Sequence, residues 1–266
     1  MTTDAFEKQP HQGATIWIHP FLPEPADSRT TVLHVVSSPD PDNARAVLAD
    51  LSTPLSAGTT DAPLGGTLKR IMDLLIAIAA LVMAVPIMVV VALLIRITAG
   101  GPAVFSHSRV GFGGQPFNCF KFRTMVANSE EVLKAYLEAN PQVIAEWEAI
   151  HKIRDDPRVT SLGWMLRKSS LDELPQLFNI IRGDMSCVGP RPIVKDELKR
   201  YGDHVGEYLR TRPGLTGLWQ VSGRSSMDYP SRVALDIQYV RNWSVWLDLV
   251  ILIRTVFAVM RVDRAS

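Results

Sequence analysis

The sequence predicts an α+β fold, mainly helical with a small β element, carrying one membrane segment and interfacial amphipathic helices. Three observations predict it. Leu74 to Ile95 is a run of 22 residues without a charge, enough to enter or cross a bilayer. Residues 103–125 set Val, Phe and Thr on either side of Gly111, Gly113 and Gly114, the pattern of a small hairpin. From residue 128 onward, helix-length stretches alternate with Pro, Gly and Asp-Pro stops.

In chain order, residues 1–66 hold eight of the 18 prolines, few basic residues and many Ser, Thr, Asp and Ala. Such a composition cannot bury enough apolar surface to offset the entropy of ordering. A mostly disordered tail is expected, with a short strand at Thr31–Val36 as its one structured candidate. No apolar core follows the first residues, so no signal peptide is expected.

Residues 67–98 form the membrane segment. A straight helix of its 22 uncharged residues runs about 33 Å, matching a hydrocarbon core of roughly 30 Å. One ordinary spanning helix is the plain reading. Pro86 stands mid-segment, where it removes a backbone hydrogen bond and kinks the helix. It leaves pieces of about 12 and 10 residues, each about half a bilayer long. Basic residues flank both ends, Lys69 and Arg70 before, Arg96, Arg109, Lys121 and Arg123 after. The positive-inside tendency then places both ends in the cytoplasm. On the residues alone, spanning and re-entrant helices both stay open.

Residues 99–266 read as a cytosolic domain. After the hairpin, Asn128 or Ser129 caps a helix running to Asn140, with Glu130 and Glu131 in its first turn and Pro141 ending it. A second helix is expected over 142–153, before Asp155-Asp156-Pro157. Ser161 to Lys168 is helical, and another helix starts near Ser170 and runs to Ile181, before Gly183. Pro213, Gly214 and Gly217 break the chain ahead of Trp219. Tyr229 to Arg261 is helical again, its aliphatics interrupted by Asp248 and Arg254. Trp243 and Trp246 beside basic residues suit a helix in the headgroup layer. Burial of the same face in the domain core accounts for them equally.

The totals exclude several classes. With 28 basic and 27 acidic residues the net charge is +1, so no global field favours nucleic acid. Cys119 and Cys187 lack metal-type spacing and read as reduced thiols. The six histidines are scattered, which argues against a zinc site.

The densest chemical signal is Asp172-Glu173, with Arg167 and Lys168 before it and Gly189-Pro190-Arg191-Pro192 after it. Ser170 to Glu173 also fits a capping box, in which Glu173 reaches back to the cap backbone. The functional reading is that first-turn carboxylates are stabilised by the helix dipole, at a helix start that can hold a phosphate. Neighbouring side chains point about 100° apart, so the two acids would take different tasks: one attacks phosphorus, the other binds a metal. A carboxylate approaching a diphosphate needs cations around it. Arg167 lies close in the chain, Lys121 and Arg123 share one face of a strand, and Arg191, held between two prolines, offers a planar fork.

Taken in order, these strings resemble the bacterial sugar transferase family of monotopic phosphoglycosyl transferases. The resemblance covers about residues 67–262. It is carried by Lys69-Arg70, the run Lys121 to Met125, Ser170 to Gln176, Gly183 to Ser186, Gly189 to Pro192, Arg212 to Arg224, Asp236 and Tyr239 to Asn242. Larger relatives carry additional membrane helices ahead of this region. The resemblance implies that Asp172 is the nucleophile and that Glu173, with Asp172, helps hold Mg²⁺. It implies that Lys121, Arg123, Arg167 and Arg191 bind the nucleotide diphosphate. It also turns the membrane segment into a re-entrant helix-break-helix bent at Pro86, although Val85 stands where a small polar residue is usual.

The implied reaction moves a hexose 1-phosphate, galactose or glucose favoured, from a UDP-sugar to undecaprenyl phosphate. It passes through an aspartyl phosphosugar, releases UMP and starts exopolysaccharide synthesis at the bacterial inner membrane, with the catalytic domain facing the cytoplasm. Expected partners are the UDP-sugar, the polyprenyl phosphate and membrane lipid, with a homodimer or later glycosyltransferases as further candidates. Two rivals need fewer parts. A membrane-tethered nucleotide-sugar-binding component of a polysaccharide assembly complex would need the cations but not both acids. A glycosyltransferase moving only the sugar would release UDP rather than UMP.

Overall fold

The computed structural model describes residues 62–144, 147, 153, 156–222 and 227–260. The proline-rich tail expected over 1–66 and the candidate strand at Thr31–Val36 lie almost wholly outside these. From Ala62 the chain is already attached to the domain, because the Leu64 amide donates to Arg210 O at 2.9 Å.

The apolar segment forms one long helix, α1, Gly66–Ala99, with Pro86 inside it. By length and composition it can cross a membrane. Its buried positions, Lys69, Asp73, Ala77, Ala84, Met88, Val91 and Ile95, recur at helical spacing along one stripe. The remaining faces expose large aliphatic side chains such as Leu75, Val82, Met83 and Ile97, far more than a water-facing helix carries.

Two consecutive left-handed glycines, Gly100 and Gly101, turn the chain into the expected hairpin. Strands β1 (Val104–Val110) and β2 (Pro116–Phe122) pair antiparallel around a short 3-10 turn at Phe112–Gly114. Helix α2, Ser129–Ala139, has Glu130 and Glu131 in its first turn, but Asn128 makes no side-chain cap bond. Most of the helix expected over 142–153 lies outside the described residues; Pro141–Val143 form a 3-10 turn. Helix α3 spans Ser161–Lys168 as expected, capped by Thr160, whose hydroxyl accepts the Gly163 amide at 2.9 Å.

The helix expected from Ser170 to Ile181 is corrected. Leu171–Glu173 form a 3-10 turn, and α4 begins only at Gln176 and ends at Arg182. Pro175 lies at its start, where the ring tolerates a first turn but would break a continuous helix. Strands β3 (Ser186–Val188) and β4 (Gly214–Thr216) pair in parallel. Between them a 3-10 stretch, Lys195–His204, leads into α5, Val205–Leu209. Helix α6 is Leu218–Ser222. The helical tail is two helices, α7 (Tyr229–Arg241) and α8 (Val245–Met260). The fold is thus mainly helical with small β elements and one long apolar helix.

A core of Val110, Ile193, Tyr201, Tyr208, Val233 and Ile237 joins the hairpin to α5 and α7. A second, polar seam fastens α1. Lys69 pairs with Asp248 at 2.6 Å, and Asp248 also accepts from Tyr239 (2.7 Å) and Trp243 (3.1 Å). One turn on, Asp73 Oδ1 accepts the Ser186 hydroxyl at 3.0 Å and the Cys187 amide at 2.9 Å. The two tryptophans here divide accordingly: Trp243, just ahead of α8, turns inward to Asp248, while Trp246, in its first turn, is exposed.

Candidate active site

Three pieces of chain converge on the acid pair: the end of α3, the 3-10 turn and strand β2. Ser170, between the first two, has φ 59° and is the one non-glycine residue with positive φ among the described residues. A left-handed residue of this kind holds strain of about 1 kcal/mol or more, stored most often at functional sites. Here it reverses the chain so that Arg167 and Asp172 face the same space. The expected capping box does not form. Ser170 makes no side-chain cap bond, and Glu173 instead accepts from Lys121, Oε1 to Nζ 2.6 Å. The acids therefore stand ahead of α4, off its first turn, and the cations do the electrostatic work assigned to the helix dipole.

Asp172 is buried, with 9% of its surface exposed. Burial pushes its carboxyl above the usual range. Lys121 and Arg167 act in the opposite direction, and Glu173 adds to the rise. The nucleophile candidate is thus buried, with Lys121 and Arg167 as the cations that act on it. Glu173 and Lys121 stay about a third exposed, at 31% each, so their ion pair remains open to exchange with a ligand.

Each partner is placed by a specific contact. Gly163, in α3, lies so near the backbone that a Cβ there would fall 2.0 Å from Thr124 O. One turn later Arg167 Nε donates to Thr124 Oγ1 at 2.9 Å. Asn179, fully buried in α4, holds β2 by both ends of its amide. Its Oδ1 accepts the Phe120 amide at 3.0 Å, and its Nδ2 donates to Asn118 O at 2.7 Å. That clamp brings Lys121 opposite Glu173.

The Gly-Pro-Arg-Pro turn is clamped as firmly. Gly189 N–H donates to Thr216 O at 2.9 Å and Gly214 N–H to Pro190 O at 2.8 Å. A Cβ at Gly214 would fall 2.1 Å from Gly189 N, so the two backbones touch as only glycines allow. The Arg191 side chain is exposed, its guanidinium 5.8 Å from the Trp219 ring centroid, with Arg232 at 4.9 Å. Beneath the turn, Asp236 Oδ2 accepts the Tyr201 hydroxyl at 2.8 Å. Burial pushes the Asp236 carboxyl up to about 8, opposed by Tyr201 and the Arg191 backbone amide, while its Oδ1 has no partner within hydrogen-bonding geometry.

The structure therefore brings together Asp172, Glu173, Lys121 and Arg167, with Arg191 on the next turn. The Arg123 guanidinium donates to Gly100 O at 3.3 Å, at the end of α1. Among the described residues no group of three or more His, Cys, Asp or Glu could hold a metal ion. The acid pair still suits Mg²⁺, which binds through one or two carboxylates together with substrate phosphates, and Glu173 already holds a cationic partner in Lys121. Sequence reasoning missed Asn179, Asp73 and the role of Asp236. The first two left a trace, as lone polar residues inside apolar helical stretches.

Fold and site together define a domain that carries one long apolar helix and holds a buried carboxylate near two cations. The chain belongs to the bacterial sugar transferase family, whose model matches residues 64–262. It is 53% identical over 197 residues to the exopolysaccharide production protein ExoY of Sinorhizobium fredii, covering 74% of this chain and 87% of that one. It is also 53% identical over 199 residues to the undecaprenyl-phosphate galactose phosphotransferase of Salmonella typhimurium, 74% of this chain and 41% of that longer protein. The UDP-glucose:undecaprenyl-phosphate glucose-1-phosphate transferase of Caulobacter vibrioides is 40% identical over 205 residues, with 74% and 71% covered.

Proposed function

We propose that this protein transfers a hexose 1-phosphate, galactose or glucose, from a UDP-hexose to undecaprenyl phosphate and so initiates exopolysaccharide synthesis. The observation that carries this reading is the Asp172 carboxylate recessed between Lys121 and Arg167, with Glu173 beside it. The names of the relatives, galactose and glucose-1-phosphate transferases acting on undecaprenyl phosphate, support the donor and the acceptor.

The mechanism is a double displacement. An Asp172 oxygen attacks the sugar-bearing phosphorus, and the bond to the bridging oxygen breaks. UMP leaves with the electron pair and an aspartyl phosphosugar remains. A phosphate oxygen of the polyprenyl carrier then attacks the same phosphorus, and Asp172 departs as carboxylate. Lys121 and Arg167 neutralise charge on the transferring group, and donors fixed before reaction stabilise it without reorganising. Mg²⁺, when bound by Glu173 and Asp172 with the substrate, supplies charge neutralisation at the diphosphate.

The polyprenyl chain cannot leave the bilayer, so the site has to work at its surface, at the bacterial inner membrane with the domain in the cytoplasm. A re-entrant α1 bent at Pro86 meets this demand, and two observations support it. Arg70, at the start of α1, donates to the carbonyls of Ile180 and Ile181. Gly100, at its end, accepts from Arg123, three residues after the Phe120 amide that Asn179 binds beside Ile180. Both ends thus meet one domain, whereas a straight helix of 34 residues would separate them by about 51 Å.

The test is direct. Purified protein given a panel of UDP-sugars should release UMP with UDP-galactose or UDP-glucose, and Asp172→Asn should lose this activity with its fold intact. Quenched reactions should carry the phosphosugar on Asp172; an adduct elsewhere, or UDP as product, would sink the proposal. For topology, both native cysteines are buried, so labels belong on Ala62→Cys and Asn118→Cys, at exposed positions. Both should react from the cytoplasmic side; reaction from opposite sides would restore a spanning helix.

A further inference from the structure

We infer that Arg109, together with Arg191, forms a second anion subsite beside the acid pair, which holds the phosphate of the leaving nucleoside monophosphate. This deepens, and rests on, the phosphosugar transfer proposed above.

The hairpin register sets Phe105 opposite Lys121, His107 opposite Cys119 and Arg109 opposite Phe117. Paired residues and their neighbours two positions away share a face. Arg109, Cys119 and Lys121 therefore line one face of the hairpin. Among the strongest electrostatic influences on the buried Cys119 thiol at its centre are Lys121, Arg109 and Arg191 as cations and Glu173 as an acid.

Arg109 itself is poorly satisfied. Its side chain is 20% exposed, and its guanidinium makes one hydrogen bond, to Pro192 O at 3.4 Å, and one ion pair, to Glu197 Oε2 at 3.8 Å. Both are longer than the usual range for such bonds. The same Glu197 oxygen already accepts the Val194 amide at 3.1 Å. A guanidinium has five donors, so most of those on Arg109 have no acceptor among the described residues. Burial and then the neighbouring Arg191 guanidinium both press Arg109 below its ordinary range. Arg109 reaches the carbonyl of Pro192, the residue after Arg191, so both arginines border one proline-stiffened, doubly clamped turn, where an anion would be favoured by both.

The proposed donor has the phosphate for that place. Its sugar-bearing phosphorus has to lie at Asp172, near Lys121 and Arg167. When the bridging bond breaks, the departing oxygen takes the electron pair, and negative charge grows on the nucleoside's phosphate. From Arg109, opposite Phe117, to Lys121 is about 13 Å along the strand, a gap that two long side chains and a diphosphate span. Arg109 and Arg191 would then stabilise the leaving phosphate while Lys121 and Arg167 serve the transferred one.

The experiment measures UMP affinity calorimetrically on purified full-length protein in nanodiscs, beside UMP release in turnover and the thermal midpoint. Arg109→Gln and Arg109→Lys should each weaken UMP binding by about tenfold or more, as expected for hydrogen bonds to a charged group, and raise KM for the UDP-sugar. Glu197→Gln, which removes the acid paired with Arg109 but leaves both arginines in place, should not weaken UMP binding by more than about twofold, under half a kcal/mol. If Arg109→Gln binds UMP as the wild type does while the wild type still turns over, the subsite is wrong and the transfer reaction stands. If Arg109→Gln and Glu197→Gln lower the midpoint alike and both leave UMP affinity unchanged, Arg109 is a structural partner of Glu197. If the wild type neither releases nor binds UMP, the transfer reaction falls and the subsite with it.

Discussion

Asp172 is held where the fold alone would not choose to keep a carboxylate. Burial raises its ionisation range, and Lys121 and Arg167 offset that rise without removing it. A carboxyl raised in the folded state is favoured protonated. Its penalty is therefore absent below the unfolded value of about 3.9 and complete above the folded one. Asp172→Asn should then raise the thermal midpoint at neutral pH while abolishing turnover, the trade expected of an active-site charge. The gain should shrink as pH falls toward 4, and thermal scans of both proteins across pH 4 to 8 would check it. An unchanged or lowered midpoint at pH 7 would mean that the neighbouring cations more than offset burial. The identity of the acid pair was legible in the sequence because Asp172-Glu173 stands among cations. Its setting was not. Serine, x, x, glutamate reads as a capping box, and only the tertiary approach of Lys121 draws Glu173 away from that role.

At the scale of elements, the site depends on seams where backbone meets backbone. Helix α3 was legible to the residue, Ser161 to Lys168, and the structure adds Thr160 as its cap. The reason Gly163 sits inside it was not, since the Thr124 carbonyl that fills the space of its missing Cβ is 39 residues away in sequence and arrives only on folding. Gly163→Ala would place carbon 2.0 Å from that oxygen, so α3 must shift or tilt. Overpacking of this kind costs about 1–3 kcal/mol. Because Arg167 is one turn away and bonded to Thr124, the shift should also lower UMP release disproportionately to the stability lost. Urea unfolding beside an initial-rate assay separates the two effects. Full activity with native stability would mean that the seam gives way elsewhere. The Lys121–Arg123 pair makes the complementary point. Strand alternation placed both cations on one face, but Arg123 lies just past the end of β2 and turns to the α1 end, where periodicity no longer dictates direction.

At the scale of the molecule, the polar seam at the start of α1 ties the membrane helix to the catalytic framework. Lys69 reads in sequence as a flanking charge of an apolar segment, yet it is buried and paired with Asp248 of α8. Asp248 in turn accepts from Tyr239, whose hydroxyl oxygen also lies 3.0 Å from Val188 O, one residue before the Gly-Pro-Arg-Pro turn, so its single proton is shared between the two acceptors. A path of bonds therefore runs from the membrane helix to the base of the turn that carries Arg191. Such a path cannot be read from hydropathy, which registers Lys69 and Asp248 only as interruptions. Its strength is measurable. Lys69→Met leaves Asp248 buried without its cation, and removing one partner of a buried pair costs about 3–5 kcal/mol. Burial already raises the Asp248 carboxyl, with Lys69 the largest opposing influence. Without Lys69 the rise should grow, so the deficit should be full at neutral pH and shrink as Asp248 protonates at lower pH. Lys69→Met with Asp248→Asn replaces the ion pair by a neutral one that still meets Tyr239 and Trp243, and should recover most of the loss. Chemical unfolding of the three variants in nanodiscs, at pH 5 and pH 7.5, tests this. A single-variant loss under about 1 kcal/mol, or a double variant no better than the single, would mean that apolar packing along the α1 stripe, rather than this pair, fastens the membrane helix to the domain.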